Sequence, residues 1–458
     1  MCCQSESSTM IVRNWQALTS HGNTSGREIV LRIIESAIEQ VNSYRLVREQ
    51  IKVARDLSVG ALKYELGNIR KIFVIGAGKQ VTFVASAVED ALQDRISDGI
   101  VVEKKGWGCK TNRIKVIEGG HPLPDETSVK GANEIVRMAT NAEKDDLVIV
   151  CVTGGCSSLI MLPPDTITIR EAGEVCRLLL NSGAPIEDVN AVRKHLSQVG
   201  GGKLAMLIHP AEVLSFIAVD EVAGVPWGPS VPDTTSFSDA KNVLMRYDLW
   251  SRISASVRDY FDRADPLQET PKAADFRRIG VREHHVVFAD NSMLCRAVER
   301  KASDLGLRSM TISTSVEGEA KDAGIFLASI AKEVEKNERP FKPPVVIIAG
   351  GETTVTIPAS HGEGGRNQEL ALAAAMKIAG SRRITLASVA TDGTDGPTDI
   401  AGAIVDGYTM EQATEAGVDL VESLRLHNSS SVFRRLNDAV YTNDTGTNLM
   451  DLIIVYVS

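Results

Sequence analysis

Short runs rich in valine and isoleucine, each closing on glycine or a small polar residue and followed by a stretch of helical periodicity, recur along most of this chain. KIFVIGAGK (71–79), DDLVIVCVTGG (145–155), VLSFIAVDE (213–221), HHVVFAD (284–290), PPVVIIAGG (343–351) and RITLASVATDG (383–393) are the clearest. None alternates apolar with polar residues, as a strand with one wet face would. Strands covered on both faces read this way, and helices crossing over a parallel sheet cover both faces. The pattern predicts an α/β protein.

Helices are expected from about Arg27 to Asn42, where Ile29, Val30, Ile33, Ile34, Ala37, Ile38 and Val41 fall on one face, and from about Ile51 to Glu65. A polar stretch with both charge signs and two prolines, Asp262 to Arg282, interrupts the rhythm and marks the expected domain boundary. The 50 Lys plus Arg against 59 Asp plus Glu give a net charge of −9. No run of basic residues offers a stripe for nucleic-acid phosphates. Seven scattered cysteines form neither a disulfide framework nor a paired metal motif, which predicts a reducing, cytoplasmic setting. The opening MCCQSESSTM has no basic start or apolar core, Cys2 excludes myristoylation, and no apolar window is long enough to span a bilayer. No signal peptide and no membrane partner are expected.

In an open parallel sheet, ligands bind beyond the carboxyl ends of the strands, so the residues just after each apolar run carry the information. Gly76-Ala77-Gly78-Lys79 sits at a strand-to-helix junction, where backbone N–H groups attract anions. A tight structural turn explains it equally well. Val81 breaks the dinucleotide fingerprint, although Glu103 could stand in for its ribose-binding acid, and Phe73 and Gln80 break the phosphate-loop pattern. His121, in the stiff loop EGGHPLPDE, reads as a structural hydrogen-bonder, and Asp125 as the cap of the next helix. The amides and hydroxyls of Thr153-Gly154-Gly155-Cys156-Ser157-Ser158 suit a phosphate or a carboxylate. Leu159 and Ile160 exclude a serine-hydrolase elbow. Further blocks place Arg193 and Lys194 beside His195, and Asp392, Asp395 and Asp399 within TDGTDGPTD, whose spacing is not that of a calcium loop.

Taken in order, VIGAGK, EGGHPLPDE, TGGCSSL, NAVRKHLSQVGGGKLA, GGETTVT, GGRNQE, ATDGTDGPTDIAGA and NDTGTN resemble the glycerate 2-kinase family with a C-terminal MOFRL domain, members of which are often labelled hydroxypyruvate reductase. The resemblance runs from about Gly22 to Tyr456. It implies ATP-dependent phosphorylation of D-glycerate at its 2-hydroxyl. It also implies a Rossmann-like parallel-sheet α/β/α N-terminal domain (22–270, after a frayed tail over 1–21) and a smaller mixed-sheet α/β domain (271–458, MOFRL region about 343–456), flanking a cleft. The family's functional positions fall on Lys79, Glu352, Arg366, Asp392 and Asn448. Phosphoryl transfer spreads negative charge over the moving group, so Lys79 and Arg366 are cast as electrostatic clamps, with Mg²⁺ on the nucleotide. Asp392 is cast as the acceptor of the hydroxyl proton. Gly76, Gly78, Gly154, Gly155, Ser157, Ser158 and Arg193 are expected around phosphate or substrate.

One segment departs from the family pattern. Where members usually read S-D-V-x-G-D and then A-S-G-P-T-V-P-D, this chain has Val219-Asp220-Glu221-Val-Ala-Gly-Val225 and Pro226-Trp227-Gly-Pro-Ser-Val-Pro-Asp233. Asp220 and Glu221, with Asp392, are the expected Mg²⁺ ligands and join the catalytic set. Trp227 opens the door to a larger or differently substituted 2-hydroxy acid. The implied cofactors are ATP and Mg²⁺, and the implied partner is a small hydroxy acid, with self-association into a homo-oligomer left open. The competing readings are an NAD(P)H-dependent hydroxypyruvate reductase and a non-catalytic sensor of nucleotide or sugar acid.

Overall fold

The computed structural model describes residues 10–219, 227–358 and 360–458. Cys2, Cys3, Asp220 and Glu221 lie outside the described residues. The chain divides into two units. Residues 43–219 and 227–288 make the first, and residues 10–42 and 289–458 make the second.

The first unit is built on the strands β4 (Ile72–Ala77), β5 (Ile96–Lys104), β6 (Lys115–Gly119), β7 (Leu147–Val152), β8 (Glu212–Val219) and β9 (Glu283–Asp290), after a small sheet of β1 (Ile51–Val53), β2 (Leu57–Val59) and β3 (Leu62–Tyr64). The large sheet runs in the order β6-β5-β4-β7-β8-β9. Its pairs β4 with β5, β4 with β7, β5 with β6 and β7 with β8 are parallel. Every residue of β4 and β7 is buried, which is what the unalternating apolar runs predict. Ile75, Val102, Val150 and Ile217 pack with Ile135, Leu204 and Phe276 from the covering helices. A second cluster draws Val175, Leu179, Val192, Phe237 and Phe261 from helices.

The strand order has a direct consequence. Counting from β4, it is that of a doubly wound nucleotide-binding sheet, and the order reverses between β4 and β7. The crevice at the reversal lies beyond Ala77 and Val152 and thus beside the loops GAGK and TGGCSS.

Three local expectations are corrected. Ile51 to Glu65 forms β1 to β3 and no helix, because LSVGALKY buries Leu57, Val59 and Tyr64 at strand spacing and turns at Gly60, whose φ is +57°. Residues 10–21, expected as tail, are held: Val12 bridges Thr442, Asn14 donates to the Ala439 carbonyl at 2.8 Å, and the amides of Ile11 and Val12 donate to Glu35. β9 joins the first sheet, so the first unit extends past the polar stretch at Asp262 to Arg282.

The second unit holds β10 (Arg308–Val316), β11 (Val345–Gly351), β12 (Ile384–Ala390), β13 (Gly402–Asp406), β14 (Ala439–Val440) and β15 (Asp451–Val457) in the order β10-β11-β15-β12-β13-β14. β10 and β11 are parallel and the other pairs antiparallel, which makes the sheet mixed. The expected strand at TTVTI reduces to one bridge, Glu319 with Thr354. The helices Ala320–Asn337 and Arg366–Ile378 bury Leu327, Ala331, Leu370 and Ala374 against Ile347, Leu386 and Ile453. The helix Thr24–Gln40 belongs here too, through Arg27, which is fully buried between Asp406 (2.6 Å) and Asp438 (2.5 Å). No disulfide joins the described cysteines 109, 151, 156, 176 and 295. Among the described residues no helix is long and apolar enough to cross a membrane.

Candidate active site

At the switch point of the first unit, three of the motif loops meet. Gly78, at φ +145°, brings the chain off β4 so tightly that a Cβ there would stand 2.0 Å from the Thr153 hydroxyl. The Lys79 amide donates to the Gly154 carbonyl at 2.7 Å, and the Thr153 hydroxyl donates to the Lys79 carbonyl at 2.8 Å. A Cβ on Gly155, whose φ is +82°, would fall 2.6 Å from the ring of His121 and 3.6 Å from Cγ of Lys79. The Lys79 stem and the His121 ring therefore border the same bare stretch of backbone. The amides of Gly154, Gly155 and Ser157 donate to no backbone carbonyl among the described residues. This set of amides beside the Lys79 stem suits an anion.

Some expected ligand groups serve the scaffold instead. The Ser158 hydroxyl, 1 % exposed, donates to the carbonyls of Gly120 (3.1 Å) and Pro122 (2.9 Å) and fixes the EGGHPLPDE loop. Gly76 lets β4 lie against β7, since a Cβ would stand 2.1 Å from the Cys151 carbonyl oxygen. The N-terminus of the helix Val81–Leu92, read as an open anion site, is filled by Glu103. That carboxylate accepts from the amides of Gln80 (2.9 Å) and Thr82 (3.1 Å), the Thr82 hydroxyl (3.0 Å) and the Lys104 amide (3.0 Å). Burial pushes Glu103 up to about 7, against the downward pull of those donors. Asp125 caps its helix as expected, accepting from the amides of Thr127 and Ser128.

Arg193 lies in the helix Ile186–His195 and lines a pocket of about 20 Å³ with Ser157, Lys194, Gly201, Trp227 and Gly228. Lys194 pairs with Asp233 at 3.2 Å and His195 with Glu269 at 2.8 Å. Burial holds His195 low, against the raising effect of its bonds to the Ala191 carbonyl and Glu269, and those two bonds fix the ring in the scaffold.

In the second unit, Arg366 opens the helix Arg366–Ile378 and lies among acids. It donates to both oxygens of Asp451 (2.6 and 2.9 Å) and contacts Glu352 at 3.0 Å. Burial lowers an arginine pKa, but Asp451 and Glu352 outweigh it and hold Arg366 well above its ordinary value. Asp395 is fully buried and accepts from the amides and side-chain amides of Asn367 and Gln368. Burial pushes it up to about 6. Asp392, 6 % exposed, accepts from the Thr394 amide at 3.0 Å. Asn448 is buried just before β15.

Sequence reasoning missed Asp451, a lone acid at the head of an apolar strand, and Asp395, which it could not separate from Asp392. The only signal for Asp395 is the neighbouring glycine, Gly365, where a Cβ would stand 2.3 Å from the Asp395 carboxyl carbon. Among the described residues no three His, Cys, Asp or Glu groups converge as a metal site. Asp392 alone of the expected Mg²⁺ ligands is described, and by itself it does not make one.

Two family descriptions match this chain: "Domain of unknown function (DUF4147)" over residues 29–262 and "MOFRL family" over residues 345–451. A glycerate 2-kinase of Pyrococcus horikoshii is 41 % identical, over 94 % of this chain and 97 % of that protein. The chain belongs to the glycerate 2-kinase family. A D-glycerate 2-kinase of Thermotoga maritima is 35 % identical over 93 % of this chain and 97 % of its own. The crystal structure of a glycerate kinase from that organism superposes with a TM-score of 0.77 at 34 % identity, over 94 % of this chain and 99 % of that one. Within the glycerate 2-kinase family a hydroxypyruvate reductase name also circulates, on an Agrobacterium vitis protein 34 % identical over 84 % of this chain and 98 % of its own.

Proposed function

We propose that this chain transfers the γ-phosphoryl group of ATP to the 2-hydroxyl of D-glycerate, giving 2-phosphoglycerate and ADP. The observation that carries this reading is the 41 % identity to a glycerate 2-kinase across 97 % of that relative's length. The site chemistry supports it. Lys79, beside the bare amides of Gly154 and Gly155, supplies positive charge for a phosphate. Arg366, locked by Asp451 and Glu352, presents a fixed guanidinium that needs no reorganisation as charge develops. In this reading Asp392 is the carboxylate that accepts the proton of the attacking hydroxyl. Mg²⁺ carried on the nucleotide would neutralise phosphate charge.

A reductase reading fares worse on physical grounds. A dinucleotide pyrophosphate would need the amides at the start of the helix after β4, and Glu103 already occupies those of Gln80 and Thr82. The test is direct: the protein with MgATP and D-glycerate releases ADP, and with NADH and hydroxypyruvate it leaves the absorbance unchanged. NADH oxidation without ADP release would reverse the assignment.

A further inference from the structure

The pocket lined by Ser157, Arg193 and Trp227 holds a charge without a counter-ion. Arg193 is 8 % exposed, and its Nε–H has no hydrogen-bond partner. Asp233 and Glu269 are committed to its neighbours Lys194 and His195, and among the described residues Arg193 enters no ion pair. A buried guanidinium keeps its proton, and burying it unpaired costs several kcal/mol. Trp227, which lines the same pocket, is 7 % exposed with its indole Nε1–H also unpartnered. Two buried donors on one pocket, one of them cationic, call for one acceptor with negative charge.

Size narrows the choice. At about 20 Å³ the pocket has no room for a triphosphate. Ser157 lies two residues beyond Gly155, so the pocket adjoins the switch-point loop. Resting on the kinase reading above, we propose that this pocket takes the carboxylate of the acid substrate, held by Arg193 with the Trp227 indole N–H, and that Trp227 sets how large an acid enters. The family pattern has serine where this chain has Trp227, so the indole both adds a donor and removes space.

The experiment uses the full-length protein with Arg193→Gln, Arg193→Lys and Trp227→Phe. A charge-assisted bond lost to Arg193→Gln raises KM for D-glycerate by about 30-fold or more, with KM for ATP within about twofold. Arg193→Lys recovers part of the loss, and Trp227→Phe, lacking one neutral donor, weakens glycerate by about fivefold. Because the free protein carries Arg193 unpaired, Arg193→Gln leaves Tm unchanged or higher, whereas a merely structural arginine would lower it. An unchanged glycerate KM in Arg193→Gln overturns the proposal, as does a rise confined to the ATP KM, which would put a nucleotide phosphate there. Calorimetric titration without ATP, comparing D-glycerate with glycerol, keeps the two readings apart. If wild type binds glycerate and not glycerol, and Arg193→Gln abolishes this, the pocket stands even where no phosphoryl transfer occurs. If wild type turns over and Arg193→Gln binds glycerate normally, the pocket fails and the kinase reading stands.

Discussion

Asp392 and Asp395 sit three residues apart in TDGTDGPTD and read alike in the sequence, yet they do different things. Asp395 holds the start of the helix Arg366–Ile378 through the amides of Asn367 and Gln368, while Asp392 accepts from the Thr394 amide and hydroxyl in its own loop. Asp395→Ala strands buried donors and lowers unfolding free energy by about 3 kcal/mol. Asp392→Asn leaves that helix start intact, so it lowers kcat by about 10²-fold or more with Tm unchanged. Denaturation and initial-rate measurements on both variants check this, and a stable, active Asp392→Asn would remove Asp392 from the chemistry. The sequence showed that the block mattered. It could not show which acid the helix consumes, because that depends on Gly365 lying against Asp395.

At the scale of elements, the strand-to-helix junctions were the legible part. VIGAGK and TGGCSS fall at the β4 and β7 ends as their patterns require, since an apolar run that ends in glycine states both the strand and its exit. β5 was overlooked because ISDGIVVEK begins polar and does not end in glycine, and it carries Glu103. The Glu103 carboxyl is raised by burial to about 7 from 4.5. Between those values the folded protein keeps a proton that the unfolded chain has released. Its contribution to stability is therefore fully present below pH 4.5 and is lost as pH rises through 7. The difference in unfolding free energy between wild type and Glu103→Gln should shrink by about 3 kcal/mol from pH 4.5 to 7.5. Urea titrations at the two pH values read it, and a constant difference would mean that the donors hold Glu103 ionised throughout.

For the molecule as a whole, the chain order is not the domain order. The helix Thr24–Gln40, near the start of the chain, completes the second unit, and its Arg27 lies between Asp406 and Asp438 with all three side chains fully buried. Periodicity revealed the helix but not its destination, since an apolar face does not say which core it covers. Arg27→Ala leaves two buried carboxylates facing each other and should cost about 3–5 kcal/mol, read as a lowered Tm. Unchanged stability would show that the triad relaxes into water. The net charge of −9 sits easily with the anionic substrates of the proposed reaction, because the cations that reading invokes, Lys79 and Arg193 in the first unit and Arg366 in the second, are single residues. The measurement that tests this account most directly is phosphorus NMR of the product formed from MgATP and D-glycerate by the full-length protein. A phosphate on the 2-hydroxyl, appearing with one ADP per glycerate consumed, is the predicted result; a phosphate on the 3-hydroxyl, or no phosphorylated acid at all, would contradict it.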